Sequence, residues 1–169
     1  MNLPTLRALL QPLPVAALVL AGAAATLAGA WIFQSLGFEP CELCLKQRLP
    51  YYAALPLAAA AVFLARNGGT AAARALLGLL AAIFFAGAVL AFYHAGVQWK
   101  FWAGPTGCTG DFVKPASMEA FRQQLSQVRV VRCDEASFRL FGLSLAGWNF
   151  LVSAGLAFVA GLGATAKRS

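Results

Sequence analysis

Six side chains in this sequence have the types and spacing to do chemistry. Cys41 and Cys44 form a Cys-x-x-Cys pair within Cys41-Glu42-Leu43-Cys44-Leu45-Lys46-Gln47-Arg48, and Arg48 stands four residues past the second cysteine. Cys108 and Cys133 follow, 25 positions apart, and His94 is the single histidine. A Cys-x-x-Cys pair can close a small ring as a disulfide and reopen it as a dithiol. Its reactive form is the thiolate, which a helix N-terminus or a nearby cation favours. Pro40 can start a helix but sits poorly inside one. Cys44 is therefore expected in a first turn, with amide N–H groups aimed at it. Arg48 shares its helix face one turn on. There the guanidinium would hold Cys44 as thiolate, or bind a carbonyl oxygen of a redox-active ring. Its plainer reading is an interfacial cation whose stem lies along lipid.

Cys108 lies in Gly104-Pro105-Thr106-Gly107-Cys108-Thr109-Gly110, and Cys133 lies in Arg132-Cys133-Asp134-Glu135. These polar settings predict exposed cysteines. A disulfide there would be open to an incoming thiolate, with a static loop staple as the plain alternative. His94 stands where an apolar run meets the surface. It is read either as a donor to a reduced ring oxygen or as an interfacial spacer. No metal is expected: a structural zinc site wants two close pairs, and the chain has one. Covalent haem would need a histidine after the second cysteine, where Leu45 stands. A soluble thioredoxin domain needs alternating strands and helices, which this pattern lacks. Four cysteines outside the apolar runs fit two redox pairs in an oxidising compartment.

The elements that position these groups are membrane spans. Of 169 residues, 60% are hydrophobic and 11% charged, and the mean hydropathy is +0.72. Soluble domains carry roughly 25% charged residues. The net charge of +7 comes without a basic cluster interleaved with aromatics, so nucleic acid is not an expected partner. The lysines and arginines flank the apolar runs instead. Runs of about 20 apolar residues cross a bilayer as helices. They are expected at about 14–33, 49–65, 71–93 and 141–164, with cysteine loops at 34–48 and 94–140. The first run has a second reading as a signal peptide, given Ala28-Gly29-Ala30. Its length and terminal Trp31 favour a span. Pro50 and Pro56 fall inside the second run and predict kinks. Within the long loop, Met118, Phe121, Leu125 and Val128 repeat at helical spacing opposite a polar face. They predict a short amphipathic helix, lying in the headgroup region or packed on the bundle's end. The fold expected for 1–169 is a single all-α domain, an antiparallel four-helix membrane bundle.

Four spans put both cysteine loops on one side and both termini on the other. The termini side carries Arg7, Arg66, Arg74, Lys167 and Arg168, and the cysteine side carries the other eight cations. A plain positive-inside count places the cysteines in the cytoplasm. The short basic 66–74 turn and the cysteine chemistry argue the reverse, and that orientation is the expectation adopted. The four tryptophans and three tyrosines map to the cysteine side. This one-sided cluster points to a flat aromatic ligand or a partner at that end.

On these residues the chain resembles the disulfide bond formation protein B (DsbB) family of bacterial inner-membrane quinone reductases. The resemblance covers nearly the full length: four spans, Cys41-x-x-Cys44 between the first two, Arg48 and His94 at matching places, then Cys108 and Cys133. Vitamin K epoxide reductase relatives share the bundle but place their loop cysteines before the Cys-x-x-Cys. The resemblance implies a relay. A reduced periplasmic thioredoxin-fold oxidase of the DsbA type attacks the Cys108–Cys133 disulfide, with Cys108 as its mixed-disulfide partner. Exchange then passes through a Cys41–Cys133 interloop disulfide to Cys41–Cys44. Cys44 hands the electrons to ubiquinone or menaquinone from the membrane pool, assisted by Arg48, with His94 a further quinone contact. The implied location is the inner membrane, with periplasmic cysteine loops and cytoplasmic termini. Gln47 departs from the family pattern by standing where an acidic residue can occur, and Pro50 by closely following Arg48. The rival readings are a vitamin K epoxide reductase-like quinone reductase and a structural membrane protein with static loop disulfides.

Overall fold

A computed structural model describes residues 10–105, 117–119, 122 and 132–166. Four helices carry the fold: α1 (Pro12–Ser35), α2 (Glu42–Arg66), α3 (Thr70–Gln98) and α4 (Leu145–Thr165). All four are long and apolar enough to cross a membrane, so the chain is a four-helix membrane bundle. Pro12 opens α1, where its fixed φ suits a first helical turn and its missing N–H costs nothing. Asn67 and Gly68 turn the chain between α2 and α3, with Gly68 at φ 81°.

Three boundaries differ from expectation. Helix α2 starts at Glu42 and takes the Cys-x-x-Cys into its first turn, running on through Pro50 and Pro56. A neighbouring glycine makes room for the first proline. A Cβ on Gly87 of α3 would lie 3.2 Å from the Pro50 ring, so the missing side chain lets the two helices close around it. Helix α3 continues past Tyr93 to Gln98 and carries His94 inside the bundle. The fourth helix starts at Leu145, because residues 139–144 form a hairpin. Strand β1 (Arg139–Leu140) pairs antiparallel with β2 (Leu143–Ser144), in the register Arg139 to Ser144 and Leu140 to Leu143. Its two-residue turn has positive φ at both Phe141 (51°) and Gly142 (81°), as a tight hairpin with right-handed strand twist requires. Ser144 then caps α4 by accepting from the Gly147 N–H at 3.2 Å.

Leu77, Leu80 and Phe84 of α3 are fully buried against Val19 of α1 and the small residues Ala54 and Ala58 of α2. Between lipid-embedded helices no hydrophobic gain drives association, so close packing over small residues carries it. The α3–α4 interface is the most extensive. The expected amphipathic helix lies almost wholly outside the described residues, as does Cys108.

Candidate functional site

The site sits at the N-terminal end of α2. Cys41 is the N-cap residue of that helix, and its Sγ accepts from the Cys44 amide at 3.3 Å. The helix-start amide is therefore aimed at Cys41, the reverse of the sequence expectation. The reason is register: the helix begins one residue after Cys41, so Cys41 occupies the cap position and Cys44 lies inside the turn. The two Sγ atoms are 2.8 Å apart and both cysteines are free thiols. The hydrogen bond from the Cys44 thiol, with help from His94, lowers the Cys41 thiol from 9.0 to about 5, against burial, which pushes it up.

Cys133 overturns the expectation of exposure. It is 1% exposed and disulfide-bonded, packed in one buried cluster with Cys41 and Leu43, against which Cys44, Leu90 and Tyr93 rest. Its polar neighbours explain how a turn in charged sequence is drawn inward. Asp134 accepts from Lys100 at 2.6 Å and from Arg132 at 2.8 and 3.0 Å, and these cations hold its carboxyl well below the usual range. The charges face out and the cysteine faces in.

His94 is also fully buried rather than interfacial. Its Nε2 lies 3.6 Å from Cys41 Sγ and 3.2 Å from the Cys133 carbonyl oxygen, so one ring bridges the two cysteine segments. Cys41, Cys44 and His94 offer ligating atoms within 4.8 Å of one another, close enough for a soft metal ion. However, the Nε2 that would bind it faces a carbonyl, which only accepts, and so carries a proton there.

Beside the cysteines is a cavity of about 250 Å³, walled by α1, α2, α4, the end of α3 at Gln98 and the segments before α2 and β1. Ligand pockets start at about 300 Å³, so this one suits a single small ring. Cys41, Cys44, Gln47, Arg48, Tyr51 and Asn149 bring polar atoms to it. Phe33, Phe38 and Phe138 form an aromatic corner of the same wall, with ring centroids 5.3–5.8 Å apart. Arg48 is on the wall, but its guanidinium reaches across to α1. It donates to Gln34 Oε1 at 2.7 Å and to the Ala30 carbonyl at 3.2 Å. His94 stands behind the wall, which Cys41 and Gln47 form at that point.

Family comparison decides what this arrangement belongs to. The model of the family "Disulfide bond formation protein DsbB" matches residues 13–163. The chain belongs to the DsbB family. Comparisons with curated proteins and with solved structures gave no significant match. DsbB membership makes the chain an oxidoreductase of disulfide bond formation.

The residue types alone did not reveal a second set of polar groups in this DsbB-family bundle. Gln47 and Tyr51 on α2, His94 and Gln98 on α3, and Asn149 and Ser153 on α4 are each spaced i, i+4. That spacing puts each pair on one face, and polar residues inside a span are functional candidates by default. The signal was present in the sequence; only the packing shows that the three pairs meet.

Proposed function

We propose that this protein is a quinone-dependent thiol:disulfide oxidoreductase that reoxidises a DsbA-type thioredoxin-fold oxidase. The observation that carries the reading is the burial of disulfide-bonded Cys133 in one cluster with Cys41, at the edge of a ring-sized cavity that Cys41, Cys44 and Arg48 line. A thiolate from the donor attacks Cys108 and releases Cys133 as a thiolate. In a second exchange the Cys133 thiolate attacks Cys41 of an oxidised Cys41–Cys44 disulfide, forming the interloop disulfide and releasing Cys44 as a thiolate. The donor's second thiol then closes the donor disulfide and frees Cys108. The Cys108 thiolate takes back Cys133 and releases Cys41, so the electron pair ends on Cys41 and Cys44 as the free pair. The preference of Cys41 for the thiolate suits it as the group that forms and breaks this link.

The cavity fits a quinone head in three respects: it has room for one ring, aromatic walls, and N–H donors for ring oxygens. Arg48, Gln47 and Asn149 would supply those donors, and the phenylalanine corner would flank the ring. When bound, a quinone of the ubiquinone or menaquinone class supplies a two-electron, two-proton acceptor. Closing the disulfide from the Cys41 thiolate and the Cys44 thiol gives up two electrons and one proton, and the proton Cys41 had already lost to water returns from water to complete the balance. Arg48, tied to α1, holds a fixed positive charge at the wall.

The setting we propose is the bacterial inner membrane, with the cysteine loops in the periplasm and both termini in the cytoplasm. Labelling whole cells with a membrane-impermeant thiol reagent checks this: modification of the reduced cysteines is expected, and complete protection would place them inside. The relay itself is tested with a Cys133→Ser variant and an oxidised DsbA-type protein, whose disulfide the Cys108 thiolate opens with no Cys133 to resolve the product. A stable mixed disulfide through Cys108 is expected. Adducts through Cys41 or Cys44 instead, or none, would discard the assignment.

A further inference from the structure

We propose that Asn149 is a positioning residue: by donating to the Gln47 carbonyl oxygen it keeps the Gln47 NH2 on His94 Nδ1 and so supports the proton on Nε2, the ring atom that faces the Cys133 carbonyl and the Cys41 sulfur. The inference rests on the reading of Cys41–Cys44 as the redox pair. It adds a residue from α4, far in sequence from the cysteines, to the machinery.

The direction of the chain follows from its fixed end. The Cys133 carbonyl oxygen lies 3.2 Å from His94 Nε2. A carbonyl only accepts, so Nε2 carries the proton. In a neutral ring Nδ1 is then an acceptor, and Gln47 must turn its NH2 toward it, which it does at 2.6 Å. That leaves the Gln47 carbonyl oxygen facing α4, where Asn149 Nδ2 donates to it at 2.6 Å. Asn149 Oδ1 in turn accepts from the Tyr51 hydroxyl at 2.6 Å, and Ser153 Oγ stands 2.8 Å from Tyr51 as a donor. Each link permits one direction once the link before it is set. Gln98 fits the same assignment. Its Nε2 lies 3.3 Å from His94 Nε2, donor facing donor, while its Oε1 is buried without a partner. Turning that amide over removes the donor-to-donor contact by bringing Oε1 to face the Nε2 proton.

Among these partners of His94, Cys41 is the titratable one; Gln47 on α2, Gln98 on α3 and the Cys133 backbone are neutral. The Gln47 amide therefore fixes the Nδ1 side of the ring, while the Cys41 sulfur and the Cys133 carbonyl face the Nε2 side. Asn149 matters because it is the donor that the Gln47 carbonyl oxygen accepts from, and so opposes the turn of that amide that would bring its oxygen to Nδ1. With Asn149 in place, Nε2–H lies between the Cys133 carbonyl at 3.2 Å and the Cys41 sulfur at 3.6 Å, beside both cysteine segments.

The single histidine makes the test direct. The full-length reduced protein is labelled with 15N-histidine and its ring nitrogens are observed by NMR in detergent micelles, without donor or quinone. The wild type is expected to show a protonated Nε2 and an unprotonated Nδ1 at pH 7. Asn149→Asp can only accept, so Gln47 must donate to it and turn its oxygen to the ring. The proton-bearing nitrogen signal is then expected to move to Nδ1. Asn149→Leu, which removes the donor to Gln47 without adding charge, is expected to populate both tautomers and to slow alkylation of Cys41 at pH 6. A wild-type ring protonated at Nδ1, or a ring unchanged in either folded variant, overturns the proposal. Quinone reduction is assayed separately, so a wild type with the expected tautomer but no quinone activity would refute the functional reading and leave this inference standing.

Discussion

The acidity of Cys41 leads to a prediction that can be worked through. Its largest cause is the Cys44 thiol at 2.8 Å. In a Cys44→Ala variant that donor is gone, and burial then opposes what remains from His94, returning the Cys41 thiol toward 9.0. At pH 6 a thiol of pKa about 5 is roughly 90% ionised, whereas one of pKa 9 is about 0.1% ionised. Thiolates of lower pKa are weaker nucleophiles, and over four units at a Brønsted slope of about 0.4–0.5 the loss is roughly 60-fold. Combining the two, Cys41 in the parent should alkylate about 15-fold faster than in the variant at pH 6, and roughly 50-fold slower at pH 10. The two pH–rate curves should cross near pH 7, at about 7.2. The assay is iodoacetamide labelling of the reduced protein in a Cys108→Ser, Cys133→Ser background, read at Cys41 by peptide mass. Curves that do not cross, or Cys44 labelled before Cys41, would refute the reasoning. The same acidity links to stability. Because the folded value lies below the unfolded one, the contribution of Cys41 to the reduced protein is complete above about pH 9 and is lost as the pH falls through about 5.

Three further outcomes are expected. A Cβ at Gly29 meets nothing within 4 Å, and Gly29 lines the cavity. Gly29→Ala should therefore leave quinone reduction near the parent rate, while Gly29→Trp should cut it by about tenfold or more by filling the ring's place, with an unchanged unfolding midpoint in detergent. At Gly96 a Cβ would fall 2.0 Å from Trp102 Cζ2, so Gly96→Ala should lower stability by about 1–3 kcal/mol, measured by denaturant titration in micelles. Asp134→Asn removes the charge that Lys100 and Arg132 share. The Cys133 turn should then be cut faster by protease at neutral pH. In the parent the carboxyl sits below its usual range, so the pairing should persist as the pH falls through 3.8 and be lost only below it.

The four spans were legible because lipid imposes length and hydropathy on any helix that crosses it, and those are properties of composition. The candidate redox residues drew notice in the sequence because Cys-x-x-Cys and a following arginine are local patterns, and the structure places Cys41, Cys44 and Cys133 together. What the sequence did not reveal depends on register and packing. Residues 141–144 are apolar enough to pass for span, and only the positive φ at Phe141 and Gly142 makes them a hairpin turn. The Arg132-Cys133-Asp134-Glu135 run reads as exposed because its charges do face water, yet its cysteine turns inward. Which of the two paired cysteines receives the helix-start amide depends on a one-residue choice of cap. His94 read as interfacial because α3 was expected to stop at Tyr93, whereas one further turn carries it into the bundle. Meeting it there are Gln47 and, through Gln47, Asn149, which no local pattern connects.

The central claim is that Cys44, paired with Cys41 beside the cavity, delivers the electrons to quinone. The most direct measurement is anaerobic mixing of the reduced, purified protein with a short-chain ubiquinone, following loss of the quinone absorbance. The Cys108→Ser, Cys133→Ser protein should consume one quinone for each Cys41–Cys44 disulfide formed, and adding Cys44→Ser should abolish the reaction. Undiminished quinone loss in that Cys44→Ser protein would contradict the account.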